Sequence, residues 1–522
     1  MDKQKYDVVV IGAGFAGSVF ARVMAETGNK ILIIEKRASV CGNMYDTCIE
    51  NILVHVYGPH IFHTNNQKVF DFLKRFSQWF RYEHRVLGKI DGKLVPIPFN
   101  FTSIDRLFDE ASAKELKTKL TQEFGENKNV SVFELVNHQN PDLRNFGKYV
   151  YDNVFAGYTA KQWGIPIDKI DASTINRVPV VIGYDDRYFS DSIQMMPANG
   201  YTHLFNEMLS HKNITLNLNT DVKEKICIDF IGHKLFLENI EYKGIIFCTG
   251  PVDEILDYRY GKLPYRSLKL IFETLDIEQY QTNSVVNYPN EEMWTRITEF
   301  KHFTDPEKYK SNKTVILKEY PAAYDPYLDG EPFYPVINDE SKAIYEKYVC
   351  ALNSFPNFYL CGRLAEYKYY NMDAVIARSL ELADQIKGKN TFRLSFLLIK
   401  EIVLYGIIGS CCAALDSFIF LLLRRLAINL YMANFISINA GILSSFLLNT
   451  FFNFKVKDGI RKRGIKYFAV GYCGLALSML VIYIGVNIIG AKEIIVKITS
   501  IFFVAIVQFT LNKLFTFKKR TI

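Results

Sequence analysis

Acidic side chains are nearly missing from the last quarter of this 522-residue chain. Residues 391–522 hold 16 Lys and Arg against 4 Asp and Glu, a surplus of 12, so residues 1–390 carry −5 of the overall +7. The basic character therefore belongs to the tail, which argues against nucleic-acid binding by the main body and for tail charges that flank a membrane. Cysteine is sparse and unpatterned. The nine thiols (41, 48, 227, 248, 350, 361, 411, 412, 473) show neither zinc-type spacing nor a disulfide framework, so no metal site is expected and a reduced, cytoplasmic main body is. A long apolar run at the N-terminus is also lacking: Asp2, Lys3 and Lys5 lead into a short strand and a Gly-rich turn, and no signal peptide is expected.

What is present over residues 1 to about 388 is a mixed α/β pattern. Short β-type runs at Val8 to Ile11, Ile31 to Ile34, Ile245 to Cys248 and Phe358 to Leu360 alternate with helical periodicity. In "VVVIGAGFAGSVFA" (8–21), Gly12, Gly14 and Gly17 form G-x-G-x-x-G between a strand and a helix, which lets a pyrophosphate approach the backbone and rest on a helix N-terminus. Glu35 ends the next strand, where an acid can accept hydrogen bonds from a ribose. "EKRASVCGN" continues as the Glu-x-Arg and glycine segment of many FAD proteins, with Cys41 in place of the first of two glycines. "YLCGRLAEYKYYNMDAVIARSLELA" predicts strand, turn and a helix from about Met372, whose macrodipole favours the negative charge of a reduced flavin. The expected fold is α/β, a Rossmann-type FAD-binding domain with inserted helical and sheet substrate domains.

The tail reads differently. Apolar segments at about 402–423, 433–452, 467–489 and 494–515 each approach the roughly 20 residues that cross a bilayer. Lys387-Gly-Lys-Asn390 predicts a helix end and a linker over 389–395, followed by an all-α polytopic domain at 396–518. Lys387, Lys389, Arg393 and Lys400 precede the first span. Six basic residues from Lys455 to Lys466 separate the second and third, and Lys518, Lys519 and Arg520 follow the fourth. Both termini and the main body are therefore expected on the cytoplasmic side. "YGIIGSCCAAL" (405–415) aligns with "YFAVGYCGLAL" (467–477), and "SFLLNTFFNF" (445–454) with "QFTLNKLFTF" (508–517), which predicts two parallel two-span repeats. Asp416, within the first span, is costly in lipid and a functional candidate.

The segments "YGPHIFHT" (57–64), "GYTAKQWG" (157–164), "NRVPV" and "RYFSD" (176–191), "YRSLK" (265–269), "WTRITEFKHF" (294–303), "KEYP" (318–321) and "GRLAEYKYYNMD" (362–373) together resemble the UDP-galactopyranose mutase family over residues 5–388. The resemblance implies an enzyme that interconverts UDP-galactopyranose and UDP-galactofuranose, with reduced FAD as an N5 nucleophile and no net redox change. It implies that Arg177 and Arg296 clamp the diphosphate through guanidinium forks, with Tyr188, Tyr320 and Tyr369 assisting. Tyr158, Thr159 and Asn287 are expected at the uridine, Trp163 beside it on a segment (163–185) that closes over substrate, and Arg266 and His84 near the substrate. His63 is a further catalytic candidate near the flavin. Gly12, Gly14, Phe15, Gly17, Glu35, Lys36, Gly42, Asn43, His60, Val222, Gly362, Arg363, Asn371 and Met372 are expected around FAD. Asn371 stands where the family commonly has Asp, Pro59 where Ala is common, and His84 with Arg85 in a variable region near the sugar. A flavin oxidase of the amine-oxidase type shares the cofactor fold but has no need of a paired-arginine clamp.

Residues 395–518 resemble the GtrA-like family of four-span membrane proteins through "DSFIFLLL" and the two Asn-containing span ends. That resemblance implies either an anchor beside galactofuranosyltransferases or handling of a polyprenyl-phosphate-linked sugar, at the bacterial cytoplasmic membrane. A homo-oligomer is expected from the mutase family.

Overall fold

Five short runs of branched and aromatic side chains build a parallel sheet in the order Ile214–Asn217, Ile31–Ile34, Val8–Ile11, Ile245–Cys248, Phe358–Leu360. The three central strands are almost wholly buried, as a parallel sheet covered on both faces requires. Val8 and Val10 alternate with Val9 and Ile11, so the two faces receive different partners. On one side helix Phe15–Glu26 stacks Phe20 on Phe247 at 3.8 Å between ring centroids. On the other, Val9, Ile11, Leu32 and Ile246 share a core with Tyr348 and Leu352 of helix Asp339–Leu352.

The computed structural model of this chain describes residues 5–164, 178–305, 308–328, 330–456 and 458–517. It divides into two units, Met1–Asp384 and Gln385–Ile522. In the first unit, two insertions into the parallel sheet supply the expected substrate domains. Strands Val86–Ile90 and Lys93–Ile97 join Tyr265–Leu275, Val285–Asn287, Arg296–Glu299, Thr314–Ala323 and Tyr334–Pro335 in one seven-stranded sheet. The parallel pairing of Val285–Asn287 with Val86–Gly88 stitches the two insertions together. Helices Phe101–Leu107, Glu110–Phe124, Val132–Val136 and Pro141–Val150 follow. Asn100, Asp109, Ser131 and Asn140 each accept a backbone N–H at the respective helix start, the role short polar side chains take there.

The helix that starts at Met372, as expected, runs to Arg425. It has no end at Lys387–Asn390, where the sequence predicts a stop and a linker. Gly388 does not adopt the left-handed conformation of a helix-ending glycine. A single interior glycine costs only about 1 kcal/mol, too little by itself to end a helix.

In the second unit, Leu398–Arg425, Phe435–Asn453 and Ile460–Val481 are long and apolar enough to cross a bilayer, and Phe502–Thr516 is a shorter apolar helix. The repeat read from the sequence has a physical counterpart. Asn449 Nδ2 donates to the Tyr467 hydroxyl at 3.1 Å, and Asn512 Nδ2 donates to the Tyr405 hydroxyl at 3.0 Å, so each half supplies the amide and the other the phenol. Asn453 Nδ2 donates to Asn449 Oδ1 as Thr516 Oγ1 donates to Asn512 Oδ1. The ring contacts repeat as well: Phe446 with Tyr467 and Phe509 with Tyr405 both lie at 5.5 Å, and the equivalent Phe454 and Phe517 stack on each other at 4.5 Å. Both amide-bearing segments end in a widened turn, with Phe454 N–H reaching Asn449 O and Phe517 N–H reaching Asn512 O, five residues back. Buried interhelical amide bonds in membranes contribute about 0.6–2 kcal/mol. Asn449→Leu and Asn512→Leu should therefore destabilise the detergent-solubilised protein by similar amounts of that order, read as equal drops in unfolding midpoint. Unequal drops would contradict the two-fold arrangement.

Candidate functional site

The strand Val8–Ile11 hands over to helix Phe15–Glu26 through a turn that only glycine allows. Gly12 has φ +96°, and a Cβ there would lie 2.3 Å from Thr249 Oγ1. A Cβ on Gly17 would lie 2.0 Å from the Gly12 carbonyl oxygen, so Gly17 seats the helix against the turn and does not itself line the cleft. No side chain caps the helix start, which leaves its first N–H groups for an anion. Gly42 faces Gly14 across the cleft, its hypothetical Cβ 3.1 Å from Gly14 Cα. Beside it Cys41 holds φ +92°, a conformation natural to glycine and strained for cysteine, and burial pushes its thiol up. The cavity of about 260 Å³ above this turn is lined by Gly12, Gly14, Phe15, Glu35, Lys36, Gly42, Asn43, His60, Val222, Gly362, Arg363, Asn371 and Met372. Every expected cofactor residue except Gly17 is thus brought together.

Glu35 accepts the Ala13 N–H at 2.7 Å and the Arg37 N–H at 2.9 Å, which fixes its carboxylate at the end of its strand, on the rim of the cleft. Lys36 pairs with Glu254 and Arg37 with Glu331, both at 2.7 Å. At the far end, just before the helix that starts at Met372, Gly362 has φ +104°, and a Cβ there would lie 3.3 Å from Ala16 Cβ. Glycine turn, uncapped helix start, strand-end acid and second helix start fit a dinucleotide such as FAD.

A second, larger cavity, about 750 Å³, adjoins the first through Asn371, which lines both. Tyr158, Thr159, Tyr188, Asn287, Arg296 and Tyr369 line it, as the sequence leads one to expect; His63, expected near the flavin, lines this cavity and not the smaller one. Arg296 comes from a strand paired in register with Glu319 and donates from Nε to Glu319 Oε1 at 2.7 Å. Burial opposes the charge on Arg296, but the wholly buried Glu319 carboxylate holds its pKa well above the ordinary value. Glu319 Oε2 and Asn287 Oδ1 are buried without a partner. Burial also pushes the Tyr158 hydroxyl up, so it remains a donor.

Other expected residues lie elsewhere. Arg177 and the side chain of Trp163 fall outside the described residues. Arg266 donates to the carbonyls of Gln162 and Lys161 at 3.0 and 3.4 Å, capping the helix Gly157–Trp163 that carries Tyr158 and Thr159. It supports the site from behind and does not line it. Tyr320 follows Glu319 on the same strand and so points to the opposite face, against Trp294 at 6.1 Å. His84 is buried beneath Tyr188, ring centroids 5.5 Å apart, with Nδ1 unpartnered. In return the structure brings in Tyr334, which the sequence reading missed. It stacks on Tyr369 at 6.1 Å, and the Arg363 guanidinium sits 5.1 and 5.0 Å from the two ring centroids. Tyr334 lies in a two-residue edge strand whose only signal is "EPFYPV".

The glycine turn and the adjoining cavities define a Rossmann-type nucleotide-binding enzyme, and comparison with known proteins narrows it. The family described as UDP-galactopyranose mutase matches residues 153–369, a Rossmann-like NAD(P)-binding domain matches 10–76, and the GtrA/DPMS transmembrane domain matches 404–517. The UDP-galactopyranose mutase of Mycoplasma pneumoniae is 35% identical over 390 residues, covering 73% of this chain and 96% of that protein. The dTDP-fucopyranose mutase of Escherichia coli is 34% identical over 386 residues, covering 73% and 98%. A crystal structure of reduced UDP-galactopyranose mutase shares the fold, with a TM-score of 0.54 over 74% of this chain and 96% of that one at 18% identity. The chain belongs to the UDP-galactopyranose mutase family.

Two outcomes follow from this geometry. Tyr334→Phe should weaken UDP binding by about 1 kcal/mol, the size of one lost hydrogen bond, whereas Tyr320→Phe should leave it near wild type, as titration calorimetry with UDP would read. Burial also drops the pKa of His60 and His84 to about 3. Between pH 6.5 and 3 the unfolded chain then binds protons that the folded chain does not, so stability is lost as pH falls through that window. His84→Asn should flatten the dependence of unfolding free energy on pH, between 6 and 4, by up to about 1.4 kcal/mol per pH unit.

Proposed function

We propose that the first unit interconverts UDP-galactopyranose and UDP-galactofuranose, with FAD held in the smaller cavity and the sugar nucleotide in the larger. The observation that carries this reading is the charged Arg296, backed by buried Glu319, in a cavity that meets the dinucleotide cleft at Asn371. Reduced FAD would supply an electron-rich N5 able to act as a nucleophile at the anomeric carbon, without net redox change. Arg296 stabilises negative charge on the diphosphate as it leaves and holds it for return, the task also expected of Arg177. Tyr188, Tyr334 and Tyr369 present hydroxyls to the same oxygens, and Tyr158 and Thr159 hold the uridine end. Asn371, in place of an acid, leaves the passage between the cavities uncharged.

Residues 1–388 act as the mutase and 396–518 as the membrane domain, multi-pass, with the mutase and both termini cytoplasmic by the charge bias. The membrane domain keeps the product beside the transferases that consume it, or handles a polyprenyl-linked sugar. Self-association of the mutase unit is part of the same reading. Full-length protein in detergent, reduced with dithionite, should convert UDP-galactopyranose to UDP-galactofuranose by chromatography while consuming no further reductant. Turnover only of dTDP-fucopyranose would move the substrate assignment, and stoichiometric peroxide from an amine would sink the mutase reading.

A further inference from the structure

Ring contraction of galactose changes no composition but relocates one proton. The C4 hydroxyl loses its proton as its oxygen bonds to C1, and the former ring oxygen, O5, keeps the pair of the broken C1–O5 bond and takes a proton. A catalyst of this reaction gains from one side chain that exchanges a proton with both oxygens as the C1–O5 bond breaks and the bond from C1 to the C4 oxygen forms.

The larger cavity holds one side chain arranged for that task. His63 lies on the strand Phe62–Thr64, paired with Ile193–Pro197, and its Nδ1 lies 2.7 Å from Asp191 Oδ2. The other Asp191 oxygen accepts Asn65 Nδ2 at 2.7 Å, and Asn65 Oδ1 accepts the Ser192 N–H, so the carboxylate cannot swing away. Phe189 stacks on the imidazole at 3.6 Å and 12°, fixing its plane. Both His63 and Asp191 line the cavity, and among the described residues His63 Nε2 has no hydrogen-bond partner. A carboxylate on Nδ1 selects the tautomer with a proton there and a bare Nε2, and it stabilises the imidazolium that forms.

The other ionisable side chains nearby are less suited. Asp185 is held by Arg187 at 2.6 Å. Burial pushes the Tyr158 and Tyr334 hydroxyls up, so they keep their protons. His84, next to the pair, is held neutral by burial, and Asp373, on the neighbouring helix, is occupied by the Thr64 hydroxyl at 3.0 Å.

We propose that His63 carries the proton between the C4 oxygen and O5 of the sugar, and that Asp191, held by Asn65, is the positioning residue that keeps its Nε2 bare and aimed into the cavity. This rests on the mutase reading and adds a named proton carrier and its orienting carboxylate to it.

The test uses the full-length enzyme in detergent, reduced, with UDP-galactopyranose carrying oxygen-18 in the bridge between C1 and phosphorus. Cleavage and re-formation of the C1–O bond scrambles the label, whereas furanose formation also needs the proton relay. Asp191→Asn and His63→Gln should each slow furanose formation by about 10²-fold while scrambling, bound flavin and UDP affinity stay close to wild type. Asp191→Glu should recover part of the loss. Nitrogen-15 histidine NMR should show a bare Nε2 at His63 in the wild type and a proton shifted onto it in Asp191→Asn. Equal losses of scrambling and furanose formation, or furanose formation at the wild-type rate in either variant, would overturn the proton-carrier role. An unaltered tautomer in Asp191→Asn would overturn the positioning role. Wild-type enzyme that neither scrambles label nor forms furanose would instead overturn the mutase reading, and this proposal with it.

Discussion

A carboxylate with no exposure, Glu319, bonded to the guanidinium of Arg296 is the constraint around which the larger cavity is organised. A cation in a desolvated wall is tolerated only when a counter-charge is fixed beside it. That fixing is a matter of strand register, since Arg296 and Glu319 sit directly opposite each other on antiparallel strands. A slip of one residue in either strand would send its member of the pair to the other face. The seven-stranded sheet thus fixes where a guanidinium meets the cavity.

The cofactor cleft was legible in the sequence because it is made from contiguous backbone. Gly12 to Gly17, Glu35 and the helix start at Met372 act through turn geometry and helix ends, which neighbouring residues dictate. The larger cavity is made by strand faces, and there short motifs mislead. "KEYP" contains both the buried partner of the cavity residue Arg296, Glu319, and one that faces away, Tyr320. Only knowledge of the sheet separates them, because adjacent residues on a strand diverge. Tyr334 is the converse: an edge strand of two residues has no periodicity to read, and its pairing with Tyr265–Arg266 alone delivers it to Tyr369. Arg266 illustrates a third limit. An arginine beside a phosphate site looks like a ligand, yet this one is spent on carbonyls at a helix end. The expected stop at Lys387–Asn390 failed for a different reason, since glycine marks a helix end only when it turns left-handed.

The membrane-type unit shows what an internal repeat can settle in advance. Aligning Asn449 with Asn512 and Tyr405 with Tyr467 gave the equivalences, but not that the bonds cross between the halves. The crossing follows from parallel repeats: two copies related by rotation about an axis along the bundle present the same edge to each other.

That crossing bears on how such a chain could have arisen. A lone two-helix half would keep amide bonds within its own helix, such as Asn449 Nδ2 to the Ser445 carbonyl at 3.0 Å, but would lack the tyrosine hydroxyl that the other half supplies. Two separate copies would have to meet in the bilayer before these bonds could form. Joining the copies in one polypeptide replaces a second-order encounter by an intramolecular one. It also frees the two halves to diverge, as Asn453 and Thr516 already have.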